Sequence, residues 1–127
     1  MFEKLELTRM AQALAAHSGT RMGVIARNVA NADTPGYRAM DLPDFGEVYA
    51  TARPDMRTTL PGHLGGLRND EGAAPRMAPG GDAPNGNSVS LEAEMVKGAQ
   101  VRQQHDMALA VYKSVSDMLR TSLGRGR

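Results

Sequence analysis

Few side chains in this sequence could do chemistry, and their spacing argues against it. His17, His63 and His105 could each ligate a metal or carry a proton. None has a second ligand at metal spacing. The acidic pairs Asp41/Asp44 and Asp70/Glu71 could supply two carboxylates for acid–base work. Asp41 and Asp44 lie beside Pro43, however, and read as turn and cap residues. Asp70 and Glu71 sit in a Pro/Gly-rich stretch and read as solvated charge. No serine or threonine has a recognisable base partner, and no Gly-rich phosphate loop follows a strand. Absence of cysteine rules out a structural disulfide and a thiolate metal site. These residues predict a protein with no catalytic residue, no metal site and no cofactor, so not an enzyme.

The most distinctive chemistry is that of a helix stop. It occupies Asn28, Val29, Ala30, Asn31, Ala32, Asp33, Thr34, Pro35, Gly36 and Tyr37. Pro35 cannot continue a helix and pushes Thr34 out of the α region. Pro35 and Gly36 suit the two central positions of a type II turn, where Gly36 supplies the positive φ. Asn31, Asp33 and Thr34 can bond back to nearby backbone groups. Asn28 and Asn31 are about one turn apart, so both could face the same neighbour.

Two long helical patterns must position this stop. In the first, about residues 3–30, Leu7, Ala11, Leu14, Ser18, Met22, Ile25 and Val29 recur in steps of four and three. Their mean step of about 3.67 lies nearer an eleven-residue repeat than a heptad. Met10 and Ala15 widen the stripe. Gly19 and Gly23 are either a soft spot or a place where a neighbouring helix comes close. The second pattern runs from Leu91 to Ser122. Ser90 suits its N-cap, Glu92 and Glu94 suit its positive end, and Gly124 is a natural stop. Arg120, Arg125 and Arg127 complement its negative end. Val101, His105, Ala108, Tyr112, Val115, Leu119 and Ser122 hold a spacing of about 3.5, with Val111 and Met118 beside them. The two helices would measure about 42 and 48 Å.

Between them lies an irregular zone with all seven prolines and nine of the fourteen glycines. Residues 43–52 read as a short helix with Pro43 in its first turn, and Thr58 to Leu60 as a strand. From Pro61 to Asn87, eleven of 27 residues are Pro or Gly, which predicts a flexible or partner-ordered loop. The expected fold is all-α: two long terminal amphipathic helices packed as an antiparallel, coiled-coil-like pair with an irregular Pro/Gly-rich middle. The expected divisions are 1–33 for the N-terminal helix, 34–88 for the connector and 89–127 for the C-terminal helix of the same domain.

Composition points the same way. The 127 residues suit one domain, and only 4% are aromatic, with no Trp. Helices that cannot bury their stripes internally must bury them on neighbours. A net charge of +1 marks no nucleic-acid partner. Glu3, Lys4, Glu6 and Arg9 break any apolar signal-peptide core, and no run approaches the ~18 apolar residues of a membrane span. On these grounds alone the chain reads as cytoplasmic, with no direct membrane insertion.

The whole string from Asn28 to Tyr37 resembles the N-terminal signature of bacterial flagellar axial proteins: rod, hook and hook-associated subunits. Its continuation, Arg38 to Phe45, resembles that of the proximal rod, or FlgB, family. Gly86, Asn87, Ser88, Val89, Ser90, Leu91, Glu92, Ala93, Glu94 and Met95 are similar to the same family's approach to its second helix. Ser90 stands where that pattern has Asp, Val101 near a usual Asn, and His105 at a usual Tyr. The length is short for a hook or distal rod subunit, which insert whole domains between the helices.

The resemblance implies a structural subunit of the flagellar basal-body rod. It would self-associate in a helical, hollow drive shaft that transmits torque and passes exported subunits. Its partners would be other rod subunits, the adaptor proteins between rod base and MS ring, and the flagellar type III export apparatus. Its place would be the periplasmic rod, reached without a cleaved signal peptide. The assembly interface would comprise Leu7, Ala11, Leu14, Met22, Ile25, Val29, Met95, Val101, Ala108, Val111, Tyr112, Val115, Met118 and Leu119. Asn28, Asn31 and the turn from Thr34 to Tyr37 would fix the geometry between neighbours. Two alternatives remain: the other short rod subunit, of the FlgC type, and a helical-hairpin adaptor of the export system.

Overall fold

The computed structural model describes residues 2–51, 74–81 and 83–124, with side groups from residue 5 onward. From N- to C-terminus run α1 (Phe2–Ala30), β1 (Met40–Asp41), α2 (Phe45–Thr51), β2 (Arg76–Met77) and α3 (Leu91–Ser122). The two long terminal helices pack against each other, as an all-α fold requires. Asn28, near the end of α1, meets Glu94 in the first turn of α3. One turn earlier on α1, Ile25 lies against Gly98, one turn later on α3. Numbers fall along one helix as they rise along the other, so the pair is antiparallel.

The seam between them repeats every seven residues. Its buried positions include Ala11, Ser18 and Ile25 on α1 and Glu94, Val101, Ala108 and Val115 on α3. A seven-residue repeat keeps one face of each helix on its partner. On α1 these three positions belong to the expected stripe. The apolar stripe is followed as far as Ile25, then the seam departs from it. Asn28 is completely buried, whereas Val29, the next stripe residue expected, is 38% exposed. Arg21 and Asn28 hold seam-side positions because polar partners wait for them, and a count of apolar residues cannot register that. On α3 the expected spacing of about 3.5 holds for part of the stripe, with Tyr112 and Ser122 exposed. Val101, Ala108 and Val115 are buried, and His105 and Leu119 are half-buried.

The buried apolar set is made of small and medium residues: Ala11, Val24, Ile25, Ala39, Leu42, Val101, Ala108 and Val115. Small side groups let the helices approach. Gly98 lies on this seam, where a Cβ would stand 3.8 Å from Ile25 Cγ2, an ordinary van der Waals contact. Gly19 and Gly23 have nothing within 4 Å of such a position, so no close approach occurs there within the subunit.

Each helix end has a local cause. Ser90 is extended (φ −101°, ψ 115°) and its Oγ accepts the Ala93 N–H, the N-cap expected from sequence. Gly124 adopts φ +74° just beyond α3, as a helix-stop glycine does. α2 starts where the Asp44 carbonyl accepts the N–H groups of Glu47 and Val48. Its Phe45 ring stands edge-on to His17 of α1 at 5.7 Å and tilted to Tyr49 within α2 at 5.3 Å. His17 Nε2 also lies 2.9 Å from the Pro43 carbonyl.

Within the middle zone, β1 and β2 form an antiparallel ribbon with Met40 opposite Met77 and Asp41 opposite Arg76. No periodicity or turn signal in the sequence anticipates this ribbon. The strand expected at Thr58 to Leu60, together with His63, Asp70, Glu71, Arg125 and Arg127, lies outside the described residues. Among the described residues, no helix is long and apolar enough to cross a membrane.

Candidate functional site

The two strings singled out in the sequence fold onto each other at one end of the hairpin, and Asn28 is their centre. Its carboxamide is completely buried. Nδ2 donates to the Met40 carbonyl at 2.7 Å and to Glu94 Oε2 at 2.9 Å. Oδ1 accepts the Met40 N–H at 3.1 Å and the Tyr37 hydroxyl at 3.3 Å. Two protons and two lone pairs are thus all engaged. Toward Met40 the carboxamide behaves as a strand neighbour would, taking both backbone groups of one residue. That bond pair brings β1 back across the end of α1.

Asn87 does the same for the turn. Its Nδ2 faces the carbonyls of Asn31, Ala32 and Thr34 at 3.0, 2.7 and 2.9 Å. Its Oδ1 accepts the Val89 N–H at 2.7 Å. One buried amide therefore gathers three carbonyls of the turn that follows α1. The Thr34 carbonyl accepts the Tyr37 N–H at 3.3 Å, and Gly36 has φ +72°. Both features fit the type II turn predicted from Pro35 and Gly36. Gly86, at φ +77°, lies directly on Gly36, whose Cα is 3.5 Å from where a Gly86 Cβ would stand. Two backbone bonds stitch the turns together: Gly36 N–H to the Asn85 carbonyl at 3.0 Å, and Ser88 N–H to the Tyr37 carbonyl at 3.1 Å. Ser88 Oγ accepts the Ala39 N–H at 2.8 Å.

Charged groups flank this knot. Arg21 grips Asp41 with two bonds, Nε to Oδ1 at 2.8 Å and Nη2 to Oδ2 at 2.9 Å. Asp44 lies 3.6 Å from the same guanidinium. Lys97 Nζ bonds Glu94 at 2.8 Å and stands 3.8 Å from Asp41. Burial alone would raise the Asp41 carboxyl. The Arg21 hydrogen bonds and charge, the Leu42 N–H and the Lys97 charge outweigh it and hold the group below its ordinary value. Hydrogen bonding to Asp41 raises Arg21 in turn, against its own burial. Glu94 is buried yet has Asn28 and Lys97 on its two oxygens. A buried carboxylate is tolerated only with such partners.

This arrangement ties the end of α1, β1 and the turn around Gly36 to the start of α3. Its donors and acceptors point at one another, and among the described residues no three acidic or histidine residues could hold a metal. Asp41, read from sequence as a turn residue, is a bidentate partner of Arg21. Glu94, read as a helix-end charge, is a buried partner of Asn28. Asn28 and Asn31 do not face a common neighbour. Asn28 points into the subunit, while Asn31 Nδ2 returns to the Arg27 carbonyl at 2.8 Å and its Oδ1 accepts the Thr34 hydroxyl at 3.2 Å. Ala30, Asp33, Thr34, Pro35 and Gly36 are exposed, and Ala32 and Tyr37 half-buried.

The stripe residues divide. Ala11, Ile25, Val101, Ala108 and Val115 are buried inside the subunit. Leu14, Met22 and Leu119 are half-buried. Leu7, Val29, Met95, Val111, Tyr112 and Met118 are exposed. Three participants went unread in the sequence: Arg21, the clasping amide of Asn87, and Gly98. Arg21 and Asn28 stand seven and fourteen residues after Leu14. That heptad spacing was the available signal.

A family model described as flagella basal body rod protein matches residues 10–38, which span most of α1 and the turn. Over nearly its whole length the protein is similar to the flagellar basal body rod protein FlgB of Agrobacterium fabrum. The two are 33% identical over 129 residues, covering 97% of this chain and 96% of that protein. It is also similar to the FlgB of Cereibacter sphaeroides, 34% identical over 104 residues and 80% of each protein. Likeness at this level runs through both helices and the two strings that interlock around Asn28 and Asn87, and it places the protein in the FlgB family of flagellar basal body rod proteins, structural subunits of the rod and not enzymes.

Proposed function

We propose that this subunit builds the proximal part of the rod by side-by-side packing of its helical hairpin with further copies and with other rod subunits. The supporting observation is apolar surface left uncovered by the hairpin. On α3, Met95, Val111, Tyr112 and Met118 are 66, 37, 37 and 55% exposed. On α1, Leu7 and Val29 are 37 and 38% exposed. Apolar groups displayed along two long helices are stabilised by covering them. The interface then comprises this exposed set, with Leu14, Met22 and Leu119 at its margin. The buried seam residues serve it by holding the hairpin straight.

Repeated head-to-tail contacts that do not close give a helical tube, which suits a hollow shaft that carries torque and passes later subunits. Adaptor proteins between the rod base and the MS ring are the proposed neighbours below. Export would run through the flagellar type III apparatus without a cleaved signal, to the periplasmic rod. The segments 1–33 and 89–127 would be one rod-forming domain, and 34–88 its connector.

Complementation tests this. The tagged protein is expressed in a flagellated cell lacking its own proximal rod protein, and purified hook–basal bodies are blotted. Tag in the rod with restored motility supports the proposal. Export without incorporation moves the protein to another rod position, such as the FlgC type. Retention in the cytoplasm, with a native control assembling, favours an export adaptor.

A further inference from the structure

The step from Asn85 to Gly86 carries reactivity that rod building does not use. It is the one Asn-Gly step in the sequence. An asparagine before glycine can lose ammonia without a catalyst. The glycine backbone nitrogen attacks the asparagine Cγ, forming a new bond between nitrogen and carbon, and the bond from Cγ to Nδ2 breaks. The backbone nitrogen's proton leaves with the amide as ammonia, and a five-membered succinimide remains. Water then opens the ring at either carbonyl. The products are aspartate, or isoaspartate with one extra backbone carbon. Glycine offers no Cβ to obstruct the attack.

The closed junction engages both reacting groups. Gly86 N–H donates to the Ala83 carbonyl at 2.8 Å. Asn85 Oδ1 accepts the Asn87 N–H at 3.1 Å. Gly86 is held at φ +77° against Gly36. Ring closure requires the Gly86 nitrogen to leave Ala83 and the Asn85 carboxamide to leave Asn87. The Asn85 backbone carbonyl meanwhile receives the Gly36 N–H, one of the two bonds joining the turns. Residue 85 is exposed, so water reaches it.

We propose that Asn85–Gly86 is a deamidation site gated by the junction. A closed junction protects it and an open one admits the reaction. The isoaspartyl product cannot reclose, because the extra backbone carbon displaces the carbonyl that Gly36 needs. Subunits that stay open are thereby marked chemically and withdrawn from the closed form.

The full-length protein is incubated at mildly alkaline pH in native buffer and in urea. Peptide mapping with isoaspartyl methyltransferase labelling follows conversion at position 85. Conversion is expected to be at least about tenfold slower in native buffer, since only the open fraction reacts. Asn87→Ala, which removes the clasp, should bring the native rate close to that in urea. Asn85→Ser should show no conversion in either. After conversion and return to native buffer, hydrogen exchange at the Gly36 amide should be faster than in unconverted protein. Equal rates in buffer and urea would overturn the gate. A converted protein whose Gly36 amide exchanges as slowly as before would overturn the block on reclosing.

Discussion

Asn28 Nδ2 lies 2.9 Å from Glu94 Oε2, joining residues 66 positions apart in sequence. The contact ties the end of the first helix to the start of the last. It also sets the turn that follows α1 beside the segment that leads into α3. Asn28→Ala would leave a buried carboxylate and the Met40 backbone short of partners. A loss of about 2–4 kcal/mol is expected, read as a lower urea midpoint. Asn28→Asp should be worse, because it sets a second carboxylate against Glu94. Equal midpoints for the alanine variant and the parent would remove Asn28 from the centre of the junction.

Arg21 and Asp41 should couple by about 1 kcal/mol in a double-mutant cycle with Arg21→Met and Asp41→Asn, a modest figure for a partly exposed bidentate pair. The pH dependence has a definite sign. The folded-state carboxyl of Asp41 lies below its ordinary value. The unfolded state therefore binds the proton first as pH falls. The stabilisation is complete above the ordinary carboxylate value and is lost as pH drops through the lowered one. Urea midpoints of the parent should decline across that acid range, and those of Asp41→Asn should decline less.

Positive-φ glycines and helical glycines should respond oppositely to alanine. Gly36→Ala and Gly86→Ala force a Cβ into the left-handed region and should each destabilise by about 1 kcal/mol or more. Gly19→Ala and Gly23→Ala meet nothing within 4 Å and should stabilise the free subunit. A gain of about 0.5–1 kcal/mol is expected there from helix propensity. Thermal melts of the four variants order them. A Gly19 or Gly23 variant that is more stable yet fails to enter the rod would show that these positions meet a neighbouring subunit.

Ser18 Oγ is buried in the seam without a hydrogen-bond partner. Replacing it with a group that needs none should be neutral or stabilising, by up to about 1 kcal/mol for Ser18→Ala. A clear drop in the urea midpoint would mean that the hydroxyl is satisfied in solution.

Met118→Asp and Val111→Asp change exposed residues and should leave the circular-dichroism helix signal intact while reducing incorporation into purified basal bodies. Val115→Asp is a different experiment. Val115 is 4% exposed, so the charge would enter the hairpin seam and destabilise the subunit itself. Normal incorporation of both surface variants would refute the proposed interface.

Local chemistry settled much of this protein from sequence alone. Pro35 and Gly36 allowed little besides a turn, Ser90 set a helix start, and Gly124 a helix end, because φ limits and capping bonds act over a few residues. Val101, Ala108 and Val115 gave the α3 seam because an apolar repeat survives in the residue types. The tertiary structure decided which polar residues join that seam. Asn28, Glu94 and Arg21 look like surface residues until partners from 20 to 66 positions away are brought to them. Such partners are fixed by where the backbone returns, and no periodicity records it. The β1–β2 ribbon and the clasp of Asn87 arise the same way, from backbone groups of two residues each or from one amide. Val29 and Met95 carry the converse lesson: both are apolar, and the seam passes them by because seven-residue geometry, not hydrophobicity, selects the face that meets the partner helix.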